Sequence, residues 1–138
     1  MVASSKQSGG AKAGKNGKRI LVVEDDLELQ EVVRDALQKH GFIVDTADDG
    51  LDALVALRTG VTPDAILLDL MMPGMDGFEF RTRQLTDGVL SRIPVIVSSS
   101  IGEKTITKMS GVAAILRKPY RIEDLVSTIR QVCDLTGT

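Results

Sequence analysis

The chain has few of the residues that build disulfide frameworks, metal clusters and base-stacking surfaces. Among 138 residues, the single cysteine, Cys133, excludes an intrachain disulfide, and the single histidine, His40, excludes a histidine-rich metal cluster. The absence of tryptophan, with one tyrosine and three phenylalanines, argues against a surface that stacks nucleobases. No apolar run approaches the roughly 18 residues of a membrane span, and the first residues lack a signal-peptide core. We therefore expect one globular, cytoplasmic domain with no membrane contact.

The charge is distributed unevenly along the chain. Residues 1–19 carry five basic side chains and no acid, whereas the remaining residues sum to −7. Residues 1–18 are rich in Ser, Gly, Ala and Lys, which predicts a disordered basic tail before a domain over 19–138. Because this domain is acidic, we expect no direct DNA binding.

Short apolar runs alternate with amphipathic segments. The runs that predict strands are 20–23, 43–44, 65–68, 94–97 and 112–116. Helical stripes lie between or after them, at 29–37, 51–57 and 125–132. Asp26 can cap the first helix, and Gly41 can end it. This order predicts a five-stranded parallel sheet, doubly wound as (βα)₅, with helices on both faces.

Polar side chains follow the predicted strands at the edge where such sheets carry their active crevice. In chain order these residues are Glu24, Asp25 and Asp26, then Asp69, then Ser98, Ser99 and Ser100, then Lys118 and Pro119. Asp69 is the most informative, because a carboxylate at the tip of an all-apolar strand is costly to desolvate unless it is paired or bound to metal.

Four segments together resemble the receiver domain of bacterial two-component response regulators. They are 20–26, 64–77, 93–99 and 118–120, and the resemblance covers about residues 19–134. It implies a flavodoxin-like fold and a phosphoryl transfer onto Asp69 from the phosphohistidine of a histidine kinase or a histidine phosphotransfer protein. The modified domain would then bind a downstream protein target. It would be a signalling phosphoacceptor with self-catalysed transfer rather than a metabolic enzyme.

The resemblance also implies a metal site. Asp25 would bind Mg²⁺ (or Mn²⁺) directly, with Glu24 as an acidic neighbour, and Asp69 and the backbone carbonyl of Met71 would complete the protein ligands. The chemistry agrees, because two carboxylates about 4 Å apart repel by roughly 4 kcal/mol at an effective dielectric constant near 20, and a divalent cation removes that repulsion. Oxygen ligands with a few waters suit Mg²⁺.

Two further residues receive roles from the resemblance. Ser99 would turn its hydroxyl toward the phosphoryl oxygens, and Lys118 would bind the phosphate. The Lys118–Pro119 peptide bond would be cis, as an X-Pro bond permits. The charges agree with the role of Lys118. An anionic phosphoryl group must approach the anionic Asp69, and the positive charge of Lys118 offsets their repulsion.

The sequence departs from the family at the predicted switch. Ile115 stands where an aromatic residue is common, so a ring cannot rotate inward when Ser99 moves. The 19 positions from Ser99 to Lys118 are about three fewer than in the family, nearly one helical turn. We therefore expect a short or frayed fourth helix within 101–110, on the usual partner face.

Two apolar residues stand where the family tunes the loss of the phosphoryl group. They are Met71, two positions after Asp69, and Ile101, two positions after Ser99. Apolar side chains there exclude the attacking water or fail to orient it. We therefore expect slow autodephosphorylation.

We interpret the chain as a single-domain response regulator, either monomeric or dimeric on phosphorylation. The alternatives are a phosphorelay intermediate, an excised receiver of a larger regulator or hybrid kinase, and a pseudo-receiver that binds partners without phosphorylation. A haloacid-dehalogenase-like phosphatase needs a second Asp where Met71 stands. A flavodoxin-like cofactor binder is disfavoured because the acids after the first strand would repel a cofactor phosphate.

Overall fold

A single parallel sheet organises the chain in the computed structural model, which describes residues 17–100 and 111–137. Its strands are β1 (Arg19–Val23), β2 (Ile43–Ala47), β3 (Ala65–Asp69), β4 (Val95–Ser99) and β5 (Ala114–Arg117). Within the described residues the spatial order is β2-β1-β3-β4-β5, with every neighbouring pair parallel. The predicted five-stranded parallel sheet is confirmed. The fifth strand begins two residues later than the apolar run that predicted it.

The helices over the described ranges are α1 (Leu27–Lys39), α2 (Gly50–Arg58), α3 (Gly77–Leu85) and α4 (Ile122–Gly137), with a 3₁₀-helix at Leu90–Arg92. The short or frayed helix predicted between β4 and β5 falls within 101–110, outside the described residues. Among the helices described, none combines the length and apolar character needed to cross a membrane.

The sheet is covered on both faces, as the unbroken apolar strands predicted. Every residue of β3 and β4 is buried. On one face, Leu21 of β1 packs in a cluster with Phe80 of α3. The preceding residue, Ile20, packs on the opposite face with Leu37 of α1 and Ile129 of α4. Because successive strand residues point to opposite faces, one short strand supplies both cores.

Asp26 caps α1, and its carboxylate Oδ1 accepts hydrogen bonds from the backbone N–H groups of Glu28 (3.1 Å) and Leu29 (3.2 Å). This confirms the predicted cap. Gly41 follows the helix with a φ of 92°, a conformation that favours glycine, and confirms the predicted stop. The cap fixes where the chain turns after β1, at the edge of the sheet that carries the acids.

Some helical positions differ from the prediction. Val32, Leu51 and Val55 belong to apolar stripes, yet their exposed fractions are 55%, 55% and 52%. A helix that contacts a single sheet buries only a narrow stripe, and these residues lie beside it. On α1 the polar Gln30 occupies the buried stripe instead, three residues before the buried Val33.

A buried polar pair lies in the core at the end of α3. Arg81 donates from Nη1 to Oε1 of Gln84 at 2.8 Å, and the two residues are only 5% and 0% exposed. Gln84 in turn donates to the carbonyl oxygens of Leu90 (2.8 Å) and Ile93 (3.0 Å). Burial lowers the pKa of the Arg81 guanidinium. The pair therefore links α3 to the 3₁₀-helix and to the chain entering β4.

Candidate functional site

Three carboxylates meet at the carboxyl edge of the sheet. Glu24 and Asp25 directly follow β1, and Asp69 ends β3; these strands are neighbours, with Val23 opposite Leu68. One carboxylate oxygen from each of Glu24, Asp25 and Asp69 lies within 4.8 Å of the others. Glu24 and Asp69 are each 4% exposed, whereas Asp25 faces solvent. We call these three residues the acidic cluster.

Lys118 reaches the acidic cluster from the far edge of the sheet. Its Nζ lies 2.8 Å from Oε1 of Glu24 and 3.3 Å from Oδ2 of Asp69. It directly follows β5, and the Lys118–Pro119 peptide bond is cis, as expected. Burial alone lowers the pKa of Lys118, but the bond to Glu24 and the charge of Asp69 outweigh it and raise this pKa. The lysine therefore stays cationic against the two acids.

Both oxygens of Glu24 are engaged within the protein. Oε1 accepts from Lys118 Nζ, and Oε2 accepts from the backbone N–H of Asp26 at 3.2 Å. Burial raises the pKa of Glu24 to about 7; the bond from Lys118 opposes this effect and the charge of Asp69 adds to it. Glu24 is thus held as an anchored neighbour, while the exposed Asp25 has the more accessible carboxylate.

Ser99 lies between the two strand ends that carry Asp69 and Lys118. It is the last residue of β4 and is fully buried. On one side β4 pairs with β3, with Ser98 opposite Asp69. On the other side the carbonyl oxygen of Ser99 accepts from the backbone N–H of Lys118 at 3.0 Å. The backbone pairing of β4 therefore holds Ser99 between the strand end that carries Asp69 and the one that precedes Lys118.

Met71 follows Asp69 by two residues and contacts it through the backbone. Its N–H donates to Oδ1 of Asp69 at 3.2 Å. The Met71 side chain itself is 57% exposed to solvent. The loop that carries Met71 is closed by the Gly77 N–H, which donates to the Leu70 carbonyl oxygen at 3.1 Å. A Cβ on Gly77 would lie 2.6 Å from the carbonyl oxygen of Asp69, so this closure requires glycine.

The residues present fit a hard divalent cation. Three carboxylates offer oxygen ligands in one place, close enough to repel one another without a counter-charge. No sulfur or imidazole ligand belongs to this group, and oxygen-only ligands favour Mg²⁺ or Mn²⁺ over zinc. The backbone carbonyl of Met71 is a further candidate, because the N–H of this residue donates to Asp69 and so places Met71 beside the acidic cluster.

A mainly apolar groove opens beside Lys118. It has a cavity volume of about 270 Å³ and is lined by Leu29, Ser100, Lys118, Pro119 and Tyr120. Burial, together with the charges of Glu24 and Asp69, raises the pKa of Tyr120 to about 12, so its phenol stays neutral at physiological pH. Three exposed apolar side chains stand at the starts of α1 and α2 and after β3: Leu27, Leu51 and Met71. We call these three residues the apolar rim.

The sequence interpretation missed Gln30. This residue is 7% exposed, and its amide nitrogen donates to the carbonyl oxygen of Glu24 at 3.0 Å. The position of Gln30 could have indicated its burial, because this glutamine lies among apolar residues on the side of α1 that faces the sheet. A buried side-chain amide needs hydrogen-bond partners, and the loop carrying the acids supplies them.

The fold is a doubly wound α/β sheet, and the acidic cluster lies at the carboxyl ends of its strands. Residues 20–130 match the model of the response regulator receiver domain, and the chain belongs to this family. The response regulator MprA of Mycobacterium tuberculosis is 37% identical over 115 residues, which cover 81% of this chain and 49% of that protein. The chain thus spans about half the length of the curated relatives it matches.

Solved structures agree with this assignment. The phosphorylated cyanobacterial phytochrome response regulator RcpA is 30% identical, with a TM-score of 0.72 over 88% of this chain and 94% of that one. The signal receiver domain of a signal transduction histidine kinase from Syntrophus aciditrophicus is 25% identical, with a TM-score of 0.77 over 85% of this chain and 90% of that one. The fold thus recurs in receivers of different contexts.

Proposed function

We propose that this receiver domain accepts a phosphoryl group on Asp69 from the phosphohistidine of a histidine kinase or a histidine phosphotransfer protein. The main support for this proposal is the environment of the Asp69 carboxylate. Its carboxylate is 4% exposed, lies within 4.8 Å of two other carboxylates and lies 3.3 Å from Lys118 Nζ. A relative that was solved in its phosphorylated form, RcpA, supports it.

In this reaction a lone pair of an Asp69 carboxylate oxygen forms the new O–P bond. The P–N bond of the donor breaks, and its electron pair remains on the imidazole nitrogen. Lys118, already 3.3 Å from Asp69 Oδ2, neutralises part of the negative charge that builds up between the carboxylate and the phosphoryl oxygens. Transfer between two anions depends on such fixed positive charge and on alignment.

We propose that Mg²⁺ or Mn²⁺ binds among Glu24, Asp25, Asp69 and the Met71 carbonyl. When bound, the ion neutralises phosphoryl oxygens and orients them for transfer. Asp25 is the direct ligand in this proposal because it is exposed, whereas both Glu24 oxygens are engaged by Lys118 and Asp26.

The output is proposed to begin at Ser99. Its hydroxyl supplies a hydrogen bond to a phosphoryl oxygen, and the movement favours one of two arrangements of the β4 end. Ile115, which packs partly buried against the core of the α2/α3 face, offers an aliphatic side chain in place of a rotating ring. The switch therefore has to act through backbone and packing rather than through an aromatic flip.

The apolar rim and the groove beside Lys118 form the surface proposed for the phosphodonor. Leu27 and Met71 are each 57% exposed, and they follow the two strands whose ends carry the acidic cluster. An exposed apolar border around a charged centre is typical of a protein-binding surface. It supports a protein as the source of the phosphoryl group, as receiver domains in general take it from histidine kinases.

The proposal is tested by incubating the protein with Mg²⁺ and acetyl phosphate and measuring the intact mass. We expect the gain of one phosphoryl group in the wild type, no gain in Asp69→Asn, and no gain when EDTA removes the metal. Asp35→Asn, an exposed acid on α1, is the matched control and should label like the wild type. Absence of label in the wild type would contradict the proposal and favour a pseudo-receiver.

The form of the output is a separate question. The sequence led us to expect a single-domain regulator acting by protein contact, but the mycobacterial relatives are about twice the matched length. The Syntrophus relative is a receiver domain of a histidine kinase. All residues proposed to act lie within the family match, 20–130, so the reaction is the same in each case. Label that moves from this protein to a second histidine protein would identify a phosphorelay intermediate.

A further inference from the structure

The two residues that flank the β2–α2 loop, Ala47 and Gly50, contact the chain segments that follow β1 and β3, although neither contributes a carboxylate to the acidic cluster. Gln30 of α1 donates from its amide nitrogen to the Glu24 carbonyl oxygen (3.0 Å) and to Oδ1 of Asp48 (2.9 Å), with the Ala47 carbonyl oxygen at 3.3 Å. The Glu24 N–H also donates to the Ala47 carbonyl oxygen at 3.1 Å. The segment after β1 is therefore fixed to the end of β2.

The same loop holds the segment after β3. The N–H of Gly50, the first residue of α2, donates to the carbonyl oxygen of Met75 at 3.1 Å. A Cβ on Gly50 would lie 2.7 Å from that oxygen and 2.9 Å from Met75 Cγ. Only glycine permits this approach, because the nearest obstacle is backbone rather than the end of a flexible side chain.

We propose that Gln30 and Gly50 are positioning residues for the metal site, which set the separation between the Glu24–Asp25 segment and the Asp69–Met71 segment through the β2–α2 loop. This inference rests on the proposed function of the acidic cluster. Neither residue touches the metal or the phosphoryl group. Gln30 acts through its side-chain amide on the Glu24 carbonyl oxygen, and Gly50 acts through its N–H on the Met75 carbonyl oxygen, four residues beyond Met71 in the same loop.

Charge repulsion explains why such positioning is needed. The three carboxylates repel one another in the absence of a counter-charge, and of these three Lys118 forms ion pairs with Glu24 and Asp69. Asp25 is exposed and follows Glu24 directly, so its position depends on the backbone that Gln30 holds. Loss of hydrogen bonds that orient metal ligands typically weakens metal binding by about 10- to 100-fold.

The first test measures Mg²⁺ binding by titration calorimetry with the metal alone. Gln30→Met keeps the length of the side chain and removes the donor, and we expect its Kd to rise about tenfold. Gln38→Met is the matched control, since Gln38 is an exposed residue on the same helix. Acetyl phosphate labelling should need more Mg²⁺ for half-maximal rate in Gln30→Met, while the rate at saturating Mg²⁺ remains that of the wild type.

The second test changes the other contact. Gly50→Ala should also raise the Kd for Mg²⁺, because its methyl group displaces the Met75 carbonyl oxygen. Gly88→Ala is its control, since a Cβ there meets nothing within 4 Å. Two variants on different elements keep the proposal testable if one of them fails to fold.

The outcomes separate this inference from the proposed function. An unchanged Mg²⁺ Kd in folded Gln30→Met and Gly50→Ala, even with lower resistance to urea, would overturn the inference and leave both residues merely structural. A raised Kd in both variants supports it, even if the wild type takes no phosphoryl group and the proposed reaction fails. A wild type that binds no Mg²⁺ would overturn both.

Discussion

Removing the charge of Asp69 should stabilise the protein when no divalent metal is present. At 4.8 Å, the outer limit of the separations within the cluster, and an effective dielectric constant near 20, the repulsion of Asp69 by Glu24 or by Asp25 costs about 3.5 kcal/mol. The attraction to Lys118 at 3.3 Å returns about 5 kcal/mol on the same basis. The net repulsion is about 2 kcal/mol, and screening at the exposed Asp25 lowers it to about 1 kcal/mol.

Asp69→Asn isolates this charge because the amide oxygen can still accept the Met71 N–H. We expect its free energy of unfolding to exceed that of the wild type by about 1–2 kcal/mol in EDTA. The measurement is urea unfolding followed by far-UV circular dichroism at pH 8, above the pKa of about 7 for Glu24. Added Mg²⁺ should shrink or reverse the difference, because the metal stabilises only a protein that binds it.

The control is Asp35→Asn, which removes an exposed carboxylate 3.5 Å from Arg34. Exposed ion pairs contribute little, so its stability should stay within about 0.5 kcal/mol of the wild type with or without Mg²⁺. A wild type more stable than Asp69→Asn in EDTA would refute the reasoning. The ion pair with Lys118 would then outweigh the repulsion within the acidic cluster.

Three further predictions concern the core, the thiol and the lifetime of the phosphoryl group. Phe80→Ala should lower the free energy of unfolding by about 3–5 kcal/mol in urea, since Phe80 is fully buried; a loss below about 1 kcal/mol would contradict the packing. Burial raises the pKa of Cys133 from 9.0 to about 11, so this thiol should stabilise the fold below pH 9 and cease to do so as the pH rises to 11. Its alkylation by iodoacetamide at pH 8 should be far slower than in urea, and equal rates would refute its burial. Met71→Asn should shorten the lifetime of the phosphorylated protein about tenfold by orienting water, as measured by the decay of the mass gain; an unchanged lifetime would refute the apolar shielding.

The sheet, and the meeting of the acidic residues at one of its edges, could be predicted from the composition of short segments of the sequence. Buried parallel strands are short and almost wholly apolar, so a carboxylate such as Asp69 at the tip of one of them is conspicuous. Parallel strands all end at the same edge, which brings Asp69 and Lys118 together although 49 positions separate them. Periodicity and topology suffice for this much.

The polar interior could not be predicted in the same way. Arg81 and Gln84 look like solvent-facing residues of a charged helix, and their burial depends on the Leu90 and Ile93 carbonyl oxygens, which no helical pattern reveals. Gln30 was overlooked for the same reason, since two of its acceptors, the Ala47 carbonyl oxygen and the Asp48 carboxylate, lie 17 and 18 positions away along the chain. Hydrogen-bond partners of this kind follow from tertiary structure alone.

Lys118 gives the resting site a defined charge. When all four groups are ionised, Glu24, Asp25, Asp69 and Lys118 sum to −2, so one divalent ion makes the site electrically neutral. A phosphoryl group on Asp69 would replace a charge of −1 by about −2, and that neutrality would end. The surplus charge would have to draw new donors toward it, and the proposed donor is the Ser99 hydroxyl, which directly follows the residue that pairs with Asp69 on the adjoining strand. The change from a neutral site to one with surplus negative charge would then drive the movement of the β4 end.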